Sequence, residues 1–150
     1  MMIRAQKGFT LLIAVVFSAV VLSLGTALLD IAYKQILLAS SAKQSEVAFY
    51  NADAALECAL YYDQQQNAFN PANPSSSVTC DTRTSNFVPN IVGGVNTSNF
   101  DLSCAGGGTS AHVTVIKATS GNTSIYTTGY SNCNTSDTRR VERGLKAVYP

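Results

Sequence analysis

The sequence predicts an α+β chain in which a long N-terminal helix, membrane-spanning in its first half, packs on a four-stranded antiparallel sheet. Three observations carry this. An uncharged apolar run extends from Gly8 to Leu29, alanines at helical spacing follow it, and short strand-like runs fill the chain beyond residue 99. The 150 residues leave material for one modest domain once the apolar segment is set aside. The segments expected are 1–8, a short basic leader; 9–34, the membrane half of the helix; 35–66, its amphipathic half; 67–98, a connecting loop; and 99–150, the sheet.

A helix of about 20 residues, at about 1.5 Å each, spans the roughly 30 Å hydrocarbon layer of a bilayer. Gly8 to Leu29 is long enough. Arg4 and Lys7 precede this run and Asp30 follows it, so the positive-inside bias places the leader in the cytoplasm and the rest outside. A cleaved secretory signal fits poorly, because the small residues Ala39-Ser40-Ser41-Ala42 lie too far beyond the apolar core. No proline appears before Pro71, so the helix is expected to continue to about Gln66, near 87 Å at the standard rise.

Beyond Lys34 the helix becomes amphipathic. Ala48, Ala52, Ala55 and Ala59 follow i, i+4, i+7, i+11 spacing, with Phe49, Leu56 and Leu60 beside them. Small residues on one face permit close approach, and a β-sheet is the expected partner. From Gln64 to Gly108 the composition turns to Asn, Ser, Thr, Pro and Gly, which reads as a long connection. Strands are then expected over Asn99 to Cys104, Ala111 to Thr119, Thr123 to Tyr130 and Arg139 to Tyr149, a four-stranded meander. Val113 and Val115 alternate with Thr114 and Ile116, but Lys117 on the apolar side blurs the pattern. On the last strand Val141, Leu145, Ala147 and Tyr149 share a face.

Cys58, Cys80, Cys104 and Cys133 contain no C-x-x-C pair, and His112 is the sole imidazole. A zinc site is therefore not expected, and the even count points to two disulfides in an oxidising compartment, with three connectivities open. In an antiparallel meander Cys104 and Cys133 emerge at the same end of the sheet. That favours Cys104 with Cys133, leaving Cys58 with Cys80 to pin the connection to the helix.

No catalytic constellation is apparent. His112 has no recognisable partner in sequence, and Gly106-Gly107-Gly108 lacks the lysine and following helix of a phosphate loop. No cofactor or metal is implied. A formal charge of +1 with 13% charged residues argues against broad attraction to nucleic acid. The one basic cluster, Arg139, Arg140, Arg143 and Lys146, is a candidate DNA contact, with edge protection and solubility as the plainer reading. Asn-Thr-Ser triplets at Asn96, Asn122 and Asn134 match the glycan acceptor pattern.

The stretch Lys7-Gly8-Phe9-Thr10-Leu11-Leu12 resembles the type III signal of type IV pilins and type II secretion pseudopilins. The resemblance implies cleavage between Gly8 and Phe9 by a prepilin peptidase, N-methylation of Phe9, and retention of the apolar helix in the inner or plasma membrane. It also implies packing of that helix against other pilin or pseudopilin subunits, in an extracellular pilus or a periplasmic pseudopilus. Ile13 stands where pilins usually place a glutamate, whose role is to compensate a neighbour's buried terminal amine. Ala48-Phe49-Tyr50-Asn51-Ala52-Asp53-Ala54-Ala55-Leu56-Glu57 is similar to the A-F-Y-x-A-E-x-G-L-E segment of GspK and PilX type minor pilins. Asp53 replaces the first glutamate of that pattern and Ala55 its glycine, while Glu57 matches. Gly129-Tyr130 through Leu145 resembles the final hairpin of minor pilins. Together these imply a pilin-like fold and a structural subunit, not an enzyme, that initiates or caps a fibre. A divergent major pilin forming the shaft, and a single-pass membrane protein with an exposed ligand- or DNA-binding domain, are the alternatives.

Overall fold

The computed structural model describes residues 6–150, with side chains described from Phe9 onward. Residues 1–5 of the expected leader lie outside the described residues. Two compact units are distinguished, residues 1–40 and 41–150.

The first unit is the N-terminal part of α1 (Gln6–Gln64). It has no proline and, in the 21 residues from Phe9 to Leu29, no charge, so neither a kink nor an ionic interruption breaks the hydrogen-bond ladder. The side chains from Phe9 to Leu38 are exposed. Asp30 and Lys34 form an exposed i, i+4 ion pair of 3.0 Å, a pair of modest energy at a surface. Gln6–Gln64 includes the one helix long and apolar enough to cross a membrane among the described residues.

In the second unit, α1 runs to Gln64 and packs on β-structure. Ala48, Ala52, Ala55 and Ala59 are fully buried, so the alanine stripe is the face laid on the sheet. The approach is close. A Cβ added to Gly129 would overlap the Ala48 carbonyl oxygen and the Ala52 amide nitrogen, and would stand 2.9 Å from Ala52 Cα; only glycine fits there. The helix ends as Asn67 adopts φ 51° and the Ala68 N–H returns to the Tyr62 carbonyl at 3.0 Å.

Seven strands follow, not four. β1 (Ser77–Cys80) and β2 (Arg83–Asn86) form a two-stranded hairpin. β3 (Asn90–Val92), β4 (Val95–Ser103), β5 (Thr109–Ala118), β6 (Thr123–Tyr130) and β7 (Glu142–Tyr149) form an antiparallel five-stranded meander in chain order. The expected connecting loop 67–98 is thus corrected: it holds β1, β2, β3 and the start of β4. Both additional hairpins have two-residue loops. Asp81 and Thr82 (φ 47° and 63°) join Cys80 to its partner Arg83, and Gly93-Gly94 (φ 59° and 79°) join Val92 to Val95. Positive φ at both loop positions matches the twist of the flanking strands. The last strand begins at Glu142 rather than Arg139, because residues 131–141 form a turn-rich segment.

The core lies between α1 and the inner sheet face. Phe69, Phe87 and Phe100 cluster with centroids 5.6 to 6.1 Å apart, beside Val78, Ala111, Val113, Val115 and Ile125. Two of these aromatics come from the segment read as loop. Asn96, fully buried, supports that segment: its amide donates to the Phe69 carbonyl at 2.9 Å, and its oxygen accepts from Ser98 Oγ at 3.1 Å. A buried Asn96 is no glycan acceptor.

Candidate functional site

Two surfaces stand out, one in each unit. The first begins at the Gly8-Phe9 boundary, which lies inside α1. Phe9 is 69% exposed and Ile13 51%. No acid occurs between Phe9 and Leu29, so this stretch of helix offers a neighbour no carboxylate. Its hydroxyls turn back on their own backbone: Ser18 Oγ donates to the Val15 carbonyl (2.9 Å), Ser23 to Val20 (2.8 Å) and Thr26 to Ser23 (2.9 Å). Such i−3 bonds satisfy polar groups that an apolar medium would otherwise penalise. The result is a long, charge-free, exposed apolar surface on a helix long and apolar enough to cross a membrane.

The second surface belongs to residues 41–150. Cys58 is paired with Cys80 and Cys104 with Cys133, with Cα separations of 6.0 and 6.3 Å. The common sheet end of Cys104 and Cys133 is what permits the second bridge, since Cys104 follows β4 and Cys133 follows β6. The first bridge ties α1 to β1. Both lie in the wall of a groove of about 630 Å³.

Where the C-terminal end of α1 meets the sheet sits a polar cluster that sequence reading missed. Asp63, 3% exposed, accepts from Lys117 Nζ at 2.8 Å and from Tyr149 Oη at 2.7 Å, with Thr123 Oγ1 at 3.4 Å. Helix, β5, β6 and β7 are joined at one carboxylate. Lys117 is therefore the reason the β5 alternation appeared blurred: it sits on the inner face and meets a buried charge. Burial, with the hydrogen bond and charge of Asp63 adding to it, pushes the Tyr149 phenol well above its ordinary pKa. An inward lysine on an apolar strand face was a signal for a buried partner, though not for which residue supplies it.

His112, solitary in sequence, has a partner in the fold. Its register position opposite Asp101 places Nδ1 2.6 Å from Asp101 Oδ1. Thr114 Oγ1 lies 3.5 Å from Nε2 but donates to Asn99 Oδ1 at 2.7 Å. The hydroxyl proton is thus directed away from the imidazole, and the arrangement is not set up to activate a nucleophile. Among the described residues no group of three or more His, Cys, Asp or Glu side chains could hold a metal ion.

The basic residues do not form one patch. Arg143 faces the helix and donates from Nε to Ser45 Oγ at 2.7 Å. Lys146, on the opposite face, lies 4.8 Å from the Tyr126 ring centroid. Arg140 stacks 3.5 Å from the Tyr130 centroid and donates to the Thr109 carbonyl at 3.1 Å. Arg139 is exposed in the β6–β7 connection, where its N–H is held by Asp137. Strand alternation separates what the sequence lists side by side.

No protein-family model, no curated protein and no solved structure matches this chain.

Proposed function

We propose that the chain is a minor pilin or pseudopilin, a structural subunit that initiates or caps a type IV pilus-like or type II secretion fibre. The observation that carries this reading is the charge-free exposed stretch of α1 from Phe9 to Leu29, which follows a Gly8-Phe9 boundary behind Arg4 and Lys7. Cleavage between Gly8 and Phe9 removes the basic leader and keeps the apolar segment. The same surface then serves as membrane anchor and as contact for sibling subunits. Gly8 and Phe9 are the processing site, and Phe9 carries the methylated amine. Ile13 favours an end position, because a subunit without an acid there does not compensate the buried amine of the next one.

The membrane orientation is N-in and C-out, and two disulfides suit an oxidising exterior. The partners are a prepilin peptidase, the inner or plasma membrane, and other pilin-like subunits. Mass spectrometry of the chain from its native membrane tests this: a mature terminus at methylated Phe9 is expected, and an intact Met1 refutes it. Replacing Gly8 by a bulky residue blocks processing on this reading. Quantification in sheared fibres separates a rare end subunit from a shaft subunit present throughout.

A further inference from the structure

The groove between the outer flank of α1 and the disulfide-tied strand ends has a volume of about 630 Å³, within the range of about 300 to 1,000 Å³ common for ligand clefts. It lies wholly within residues 41–150. Beside residues that also pack in or against the core, such as Cys80 and Tyr62, Asn51, Glu57 and Tyr61 from the helix face Asp81 and Arg83 of the β1–β2 hairpin.

Much of this wall is fixed in advance. Tyr62 Oη donates to the Thr79 carbonyl at 3.1 Å and accepts the Thr79 N–H at 3.0 Å. The Asn51 amide donates to the Tyr130 carbonyl at 2.7 Å, and an Arg83 guanidinium nitrogen donates to the Ser103 carbonyl at 2.5 Å. Both disulfides brace the sides. Groups held this way have little freedom left to lose when a ligand binds.

The remaining groups define the ligand. Glu57 and Asp81 are exposed acceptors outside the three ion pairs of the described residues, Arg83 supplies donors, and the Tyr61 side chain is 54% exposed. Glu57 and Tyr61 are one helical turn apart and share a flank. Two carboxylates against one guanidinium leave a formal charge of −1, which disfavours an anion and is too small to hold a polycation strongly. Acceptors and donors around an open aromatic ring suit a molecule with many hydroxyls and apolar ring faces.

We infer that this groove binds a short neutral oligosaccharide. A sugar ring face rests on Tyr61, its hydroxyls donate to Glu57, Asp81 and the Asn51 side-chain oxygen, and Arg83 donates to a ring or hydroxyl oxygen. The inference does not depend on the fibre reading.

The test uses the full chain in zwitterionic micelles, since sugar-headed detergents would compete. Neutral tetrasaccharides of glucose, galactose and N-acetylglucosamine are titrated while tyrosine fluorescence is followed; the chain has no tryptophan to mask it. At least one saccharide is expected to bind saturably. Tyr61→Ala should weaken it by about tenfold, and the isosteric Glu57→Gln should weaken it several-fold, both with parental melting temperature. Absence of saturable binding overturns the inference, as does binding that neither substitution changes. Saturable uptake of a lysine-rich hexapeptide in place of every saccharide also overturns it.

Discussion

Substituting Gly129 by alanine tests how closely helix and sheet are fitted. The new Cβ would stand 2.9 Å from Ala52 Cα and overlap the Ala48 carbonyl and Ala52 amide. Carbon atoms pack at about 3.5 to 4.0 Å, so the backbones must separate by about 1 Å. No flexible side chain is available to absorb that shift, because every obstructing atom is main chain. A radial gap of about 0.5 to 1 Å forfeits a quarter to a half of each dispersion contact, and the whole Ala48, Ala52, Ala55, Ala59 face is affected. The nearby bond from Asn51 Nδ2 to the Tyr130 carbonyl, 2.7 Å, is stretched as well. Overpacking costs of about 1 to 3 kcal/mol are usual, and a rigid main-chain clash belongs at the upper end, about 3 kcal/mol. For a unit of this size that lowers the melting temperature by about 10 to 20 °C. Gly144→Ala is the control. Its Cβ meets only the Thr127 carbonyl oxygen, at 3.6 Å, so the change should be neutral or mildly stabilising through the unfolded chain. Thermal melts of the full chain in micelles, followed by near-ultraviolet circular dichroism of its tyrosines, compare the two. If Gly129→Ala melts with the control, the close contact of helix and sheet is wrong.

Asp63→Asn should destabilise by about 3 to 5 kcal/mol, because it leaves the Lys117 ammonium without its carboxylate. A double-mutant cycle with Lys117→Met should recover part of that loss, whereas additivity of the two changes would remove the proposed coupling. The Tyr149 phenol holds its proton more tightly in the folded chain than in the unfolded one. Its contribution is therefore complete below about pH 10, the ordinary tyrosine value, and declines as the pH rises further. Urea melts across alkaline pH should show that decline, and Tyr149→Phe should diminish it while lowering stability near neutrality. Replacing Cys58 and Cys80 by serine opens a loop of 22 residues. In the chain-entropy account this costs about 3 kcal/mol, read as a shift in urea midpoint, and no shift would indicate that α1 and β1 are held without the bridge.

What could be read from the sequence depended on how much redundancy each element carried. The alanine stripe was legible because four small residues at helical spacing define one face regardless of context. β5 and β6 were legible as strand-like runs bounded by turn residues, although the alternation of β5 was blurred by Lys117. By contrast, β1 to β3 are three or four residues long, and β1 and β2 are mostly Ser, Thr, Asn and Arg, so their composition is that of a loop and their pairing is supported by Val78 and Phe87 reaching the core. Gly93-Gly94 did carry a hairpin signal, whereas Asp81-Thr82 did not, since threonine rarely adopts positive φ. The Asp63 cluster joins residues 54 and 86 positions apart, a distance at which local pattern is silent. The groove was unreadable for the same reason: it exists only where a helix flank and two disulfide-tied strand ends converge.

The hydroxyls of Ser18, Ser23 and Thr26 carry a further consequence. Each is already bonded to its own helix, so on the proposed function a move from lipid into a bundle of apolar helices would break no bond of these hydroxyls and require no new one. For these side chains the choice between the two surroundings would be left to shape and dispersion. A segment of this kind can leave one for the other, and return, without any hydrogen bond acting as a latch.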